Sequence, residues 1–212
     1  LTGEPYIRNI QVAPLPRYSS ARLRVELDRA WVGTATVQIV EWPSRAPAGE
    51  GRLIWFGTDL ADDEIAIRNP RTWSPEDPFL YEAIVSAGSD VARTRFGLRT
   101  FRTDPATGRM LLNERPYYLR GSNVTIYRFF EDAERRELPW DRDWVRRLHR
   151  AFKDMHWNAL RYCIGFPPDF WYEIADEEGI LIQDEFPIWY SHPANWPAAI
   201  TADHLATEYR QW

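Results

Sequence analysis

Leu23, Val25 and Leu27 alternate with Arg22, Arg24 and Glu26, the period of two that a strand shows when one face is buried. Runs of the same kind occupy Tyr6 to Val12, Ala35 to Trp42, Leu53 to Phe56, Glu64 to Ile67, Leu80 to Ser86 and Val91 to Leu98. Turn-forming stretches separate them: Pro43 to Gly51, Gly57 to Asp63, and Ala87 to Asp90. Roughly seven short strands in about a hundred residues fit an immunoglobulin-like β-sandwich, here over residues 1–102. The Pro-rich Asn69 to Pro78 cannot be a central strand, because each Pro removes a ladder donor. It is expected as a crossing loop with Trp73 packed beneath it.

Past Thr103 to Gly108 the period changes. Met110 to Leu112 and Pro116 to Leu119 flank Asn113-Glu114 as a hairpin, and Arg120 to Val124 reads as a strand end. A long acidic loop, Tyr127 to Leu138, follows. Asp141 can cap a helix that carries Trp144, Leu148, Phe152 and Met155 along one side. Asn158 to Tyr162 is a short strand, broken by Gly165 to Pro168. Phe170 and Ile174, like Trp171 and Ala175, then lie four apart, as on the buried side of a helix. Asp169 is its cap candidate, and Gly179 stands where a left-handed residue would end it. Ile180 to Ile182 is the next strand. Ala202, Leu205, Ala206, Tyr209 and Trp212, with Thr201 as cap, begin a further helix. The order β-α-β-α-β-α predicts parallel strands, and three of them leave two open edges. An eight-stranded barrel is the commonest closure. Residues 103–212 are therefore expected to form the first three βα units of a (β/α)8 TIM barrel. Its reactive edge would be the C-terminal strand ends: Arg161, Tyr162 and Cys163 after one strand, Gln183, Asp184 and Glu185 after the next.

Composition narrows the function classes. With 212 residues, 44% apolar and 15% aromatic, the chain can bury a sizeable core and is not a disordered one. A net charge of -5 without a basic stripe argues against nucleic acid. One cysteine excludes an internal disulfide and a cysteine-based metal cluster. His149 and His156 lie two helical turns apart, about 10 Å, too far to share an ion. His192 stands alone in a loop. No metal and no cofactor are expected. No stretch is long and apolar enough to span a membrane, and no signal peptide opens the chain. It begins with Leu rather than Met, which reads as an excised piece of something longer.

Several motifs in order carry a resemblance: Trp73-Ser-Pro-Glu-Asp-Pro-Phe-Leu-Tyr81, Phe96-Gly-Leu-Arg-Thr-Phe101, and Leu112-Asn-Glu-Arg-Pro-Tyr-Tyr-Leu-Arg-Gly-Ser-Asn123. Asn158-Ala-Leu-Arg161, Tyr172, Asp176, Gly179-Ile and Asp184-Glu185 continue it. The set resembles glycoside hydrolase family 2 over nearly the whole chain. The resemblance implies the family's immunoglobulin-like domain followed by the opening of its catalytic barrel. It also implies β-glycoside hydrolysis with retention, by two glutamates about 5–5.5 Å apart. In the family the acid/base follows an Asn at the end of the fourth strand, and the nucleophile lies on the seventh. Neither is matched here, so both are expected beyond Trp212 and the chain alone is expected to be inactive. Galactosidase- and glucuronidase-like members tend to carry a His after Arg-Gly-x-Asn and another after the second strand. This chain has Val-Thr-Ile and Ile-Gly-Phe there, which leaves the sugar open.

On this reading Arg161 donates a forked hydrogen bond to a carboxylate or a sugar hydroxyl; the plainer reading is a structural salt bridge. Asn123 binds a sugar hydroxyl or satisfies backbone groups. Asp184 and Glu185 are adjacent on a strand and point to opposite faces, so at most one faces the pocket. Trp189 and Tyr190 stack on a sugar face or pack. Cys163 reads as buried filler. The expected partners are a β-glycoside and the remainder of a parent polypeptide. The rivals are a non-catalytic carbohydrate-binding or interaction module and a barrel enzyme of other chemistry.

Overall fold

The computed structural model describes residues 4–15 and 18–185. Five strands form one curled sheet: β1 (Ile7–Pro14), β2 (Ser20–Trp42), β3 (Pro47–Ala66), β4 (Leu80–Ala87) and β5 (Asp90–Phe96). The start of β2 pairs antiparallel with β1 and with the end of β3. The remainder of β2 pairs with the start of β3 and with β4, which in turn pairs with β5. Register shifts between Glu26 and Val32 mark where the long hairpin bends from one layer into the other. The sheet thus folds over itself as a sandwich. Its core joins Leu23, Val25 and Leu27 to Val37, Ile39, Leu53, Trp55, Ile65 and Val85, all buried.

Two details differ from the expectation. Leu23–Leu27 and Ala35–Trp42 belong to one strand, as do Leu53–Phe56 and Glu64–Ala66. Gly57 to Asp63 is not a turn but part of β3, where Asp62 stands across the ladder from a basic residue. Asp62 pairs with Arg24 in register and sits 3.8 Å from the Arg22 guanidinium, so opposite charges support the strand there. The segment 69–78 does cross without joining the sheet, apart from a bridge between Thr72 and Leu98, and Trp73 is fully buried.

A small sheet follows, built from β6 (Phe101–Thr103), β7 (Met110–Leu112) and β8 (Arg115–Pro116). Asn113 and Glu114 both have positive φ, the geometry of a two-residue hairpin turn. Position 102/103 falls within β6, and β6 pairs with β7, so this sheet spans the expected domain boundary.

Next come β9 (Gly121–Val124), α1 (Tyr127–Phe130), α2 (Arg142–Asp154), β10 (Ala159–Tyr162), α3 (Asp169–Glu178) and β11 (Leu181–Asp184). The three strands form a parallel sheet with β10 in the middle. Asp141 caps α2 by accepting from the Asp143 and Trp144 amides. Asp169 is not the cap of α3 but its first helical residue; Pro168 occupies the cap position, where no donor is required of it. Gly179 ends α3 in the left-handed region, φ 75°. The acidic loop is also more ordered than expected, holding α1 and a 3-10 turn, Leu138–Trp140. Both longer helices cover one face of the sheet: Val145, Trp171, Ile174 and Ala175 pack on Val124, Leu160 and Tyr162. The expected helix of residues 201–212 lies outside the described residues.

Candidate functional site

Strand pleating places Leu160 and Tyr162 on the helix side and sends Arg161 to the other. In register beside Arg161 stand Asn123 of β9 and Gln183 of β11, so the three share the face opposite α2 and α3. A concavity of about 730 Å³ begins on this face at Asn123, Arg161 and Gln183 and passes round the open edge of β11 to Tyr172, Ile182 and Asp184 on the helix side.

At the C-terminal ends of the strands the polar groups meet. Arg161 donates from Nη1 to Asn123 Oδ1 at 3.5 Å, and its Nη2 lies 3.0 Å from Glu185 Oε1. Glu185 is further held by the Ile164 amide at 3.1 Å and by its own amide, which donates to the Tyr162 carbonyl at 3.0 Å. The Cys163 thiol also donates to the Glu185 carboxylate. That bond, followed by the Ile164 amide and the Arg161 charge, holds Glu185 below the usual carboxylate range. The same bond raises the Cys163 thiol. Cys163 is half-buried, so it is a polar neighbour of the edge and not core filler. The main chain at positions 163–165, which bends at Ile164 with φ 57°, wraps Glu185 because β10 ends there and Gly165 follows.

Asp184 faces the other way. Tyr172 of α3 donates to its Oδ1 at 2.8 Å, and burial, then this carboxylate, raises the Tyr172 phenol. Asp184 and Glu185 therefore do not flank one point. Trp189, Tyr190 and His192 lie outside the described residues.

Two residues brace the opposite, N-terminal end of these strands. Asn158 is almost fully buried; its Oδ1 accepts from the Arg120 amide at 2.8 Å, and its Nδ2 donates to the Tyr117 hydroxyl and the Tyr118 carbonyl. It ties the start of β10 to the approach to β9. Gly121 lies so close to β10 that a Cβ would run into the Ala159 carbonyl oxygen. Sequence reasoning took Asn158 simply as strand. Its signal was a buried-type position filled by an amide at the foot of an apolar run. Among the described residues no group of His, Cys, Asp and Glu could hold a metal ion.

Residues 6–99 match the model of the glycosyl hydrolases family 2. A protein of Formosa agariphila named "Putative beta-glucuronidase" is 32% identical over 158 residues, 70% of this chain and 14% of that protein. The chain belongs to glycoside hydrolase family 2. A β-galactosidase of Oenococcus oeni is 27% identical over 58% of this chain and 12% of its own length. This family 2 chain thus spans about one seventh of the curated relatives it matches. Among solved structures, the β-glucuronidase of Parabacteroides merdae superposes over 87% of this chain and 24% of that one, with a TM-score of 0.66 at 24% identity. A family 2 member from Bacteroides cellulosilyticus gives a TM-score of 0.69 at 17% identity, over 87% of this chain and 27% of the other.

Proposed function

We propose that this chain is part of a β-glycosidase, and that the edge carrying Asn123, Arg161 and Glu185 holds one sugar ring of its substrate. The observation that supports this most is the convergence at Arg161. Groups from three parallel strand ends meet there, on the face opposite α2 and α3, beside a concavity. Neighbouring sugar hydroxyls each donate and accept. A guanidinium fork, a carboxylate and an amide side by side match that pattern, and the C-terminal strand ends are where parallel α/β sheets bind ligands.

Retaining chemistry needs two carboxyls on either side of one bond. Asp184 turns to Tyr172 and Glu185 is engaged by Arg161. In this reading the described residues bind and orient the sugar, while the catalytic pair belongs to residues outside them. The sandwich, residues 1–102, then carries the opening βα units, residues 103–212, of a barrel that further units complete. Trp189 and Tyr190 are kept as stacking candidates, and Asp184 as an orienting acid through Tyr172, the former by sequence position alone. The names of the relatives make β-glucuronides and β-galactosides the sugars to try first.

Saturation-transfer NMR with methyl β-glucuronide and methyl β-galactoside tests the assignment. The chain should bind one of them. Arg161→Lys, which keeps the charge but loses the fork, should weaken that binding by about tenfold, roughly one hydrogen bond to a charged group. No transfer from either glycoside would sink the proposal. Binding that Arg161→Lys leaves untouched would favour the rival, a carbohydrate-binding module working through the sandwich. The chain alone should not release 4-nitrophenol from the matching nitrophenyl glycosides, and turnover would place the catalytic pair within it.

A further inference from the structure

Most described tryptophans are buried or half-buried, and three of them, Trp55, Trp73 and Trp171, are wholly enclosed. Trp140 is 59% exposed. Phe130, also exposed, stacks on it with centroids 6.3 Å apart and planes inclined by 23°. Two broad apolar faces held together in water cost free energy and bring the fold little. The loop that carries them is already anchored from beneath. The Trp171 indole donates to the Pro139 carbonyl at 2.9 Å, and Phe129 packs edge-on against Trp144. Neither anchor uses Phe130 or the Trp140 ring.

Topology sets where the pair stands. The segment leaves the end of β9 and enters α2 at its N-terminus, so it lies at the C-terminal edge of the parallel sheet, on the lip nearest the helices. Asn123 and Arg161 occupy the other face of that same edge. The surroundings are polar: Arg128 pairs with Glu131 at 2.9 Å and Arg135 with Asp132 at 3.1 Å. An aromatic plate rimmed by ion pairs suits a ligand with an apolar face and a hydroxylated perimeter. A pyranose ring has that form. A greasy ligand would want an enclosing pocket, whereas Phe130 and Trp140 lie open to water.

We infer that Phe130 and Trp140 form a second carbohydrate platform, which stacks a sugar ring of a β-linked oligosaccharide whose terminal ring sits at Arg161. The inference rests on the proposed function above and adds to it a substrate longer than a monosaccharide glycoside. The helical turns around the pair preset the platform, so little ordering is needed on binding.

Isothermal titration of the chain with a methyl β-glycoside and with a β-linked tetrasaccharide ending in the same sugar tests it. The tetrasaccharide should bind about five- to tenfold more tightly, the worth of one aromatic stack. Trp140→Ala and Phe130→Ala should remove that advantage and leave methyl glycoside affinity unchanged. Trp140→Leu, which keeps apolar area without a ring face, should behave like Trp140→Ala. Full retention of the advantage in Trp140→Ala or Trp140→Leu would overturn the platform. Loss of methyl glycoside binding alone, with a Trp140-dependent tetrasaccharide affinity intact, would overturn the Arg161 site and spare the platform. Failure of both saccharides to bind would overturn both.

Discussion

Arg161 and Asp184 show how far a single position can be read. Alternation along a short strand puts neighbours on opposite faces, and that alone predicts that Asp184 and Glu185 separate. It does not say which of them faces Arg161. The choice follows from pairing: Arg161 sits in register with Gln183, so the residue two further on shares its face. Gly121 is legible only in three dimensions. Its φ lies outside the left-handed region, so no turn demands it; the close approach of β10 does. Gly121→Ala should therefore push β9 away from β10 and cost roughly 3 kcal/mol, as overpacking does in a well-filled site. Urea denaturation would measure it, and a change under about 0.5 kcal/mol, the scale of neutral surface substitutions, would show that the strands part easily.

At the scale of elements, α2 was the most readable. Its cap and its apolar stripe both stand where the period puts them, although Met155 ends up exposed. The stripe missed His149, which is fully buried between α2 and the sheet. One ring nitrogen, Nδ1, lies 2.8 Å from the Val145 carbonyl and can only donate there. Nε2 lies 3.0 Å from the Tyr162 hydroxyl and accepts its proton when the ring is neutral. Burial lowers the His149 pKa from its ordinary 6.5. The unfolded chain thus takes up a proton near that pH before the native state does, and stability falls as pH drops below about 6.5. Melting temperatures between pH 7.5 and 5.5 should decline, with a flatter course in His149→Gln. Equal slopes in the two proteins would mean that His149 titrates alike in both states. The long hairpin of β2 and β3 was misread for the opposite reason. Gly and Asp signal turns locally, but the cross-strand Arg22 and Arg24 make Asp62 compatible with a ladder.

The whole molecule is held together at a joint between sandwich and α/β part. Trp73, on the crossing loop, donates its indole N–H to the Asp176 carbonyl at 2.9 Å, filling one of the acceptors left open at the end of α3. Arg99 lies over the same indole and reaches the Asp176 carboxylate at 3.2 Å. Arg95 of β5 pairs with Glu177, and Lys153 bridges the Pro75 and Gly179 carbonyls. Trp73→Phe would leave a carbonyl without its donor, at a cost of about 1–3 kcal/mol. Hydrogen exchange should then quicken in β9 to β11 while β2 stays protected. Uniform quickening in both would show that the two parts unfold as one unit.

Local pattern was enough for the strand segments of the sandwich, for α2 and α3, for their parallel strands and for the residues at the strand ends, because period, caps and breakers act over a few residues. Tertiary structure alone decided that the sandwich strands run on through a bend, that Cys163 serves Glu185, and that Gly121 and Asn158 hold β9 against β10. It also left Trp140 outside while Trp73 and Trp171 went in. Each of these depends on which distant backbone arrives alongside, and a sequence with no register attached does not contain that distance.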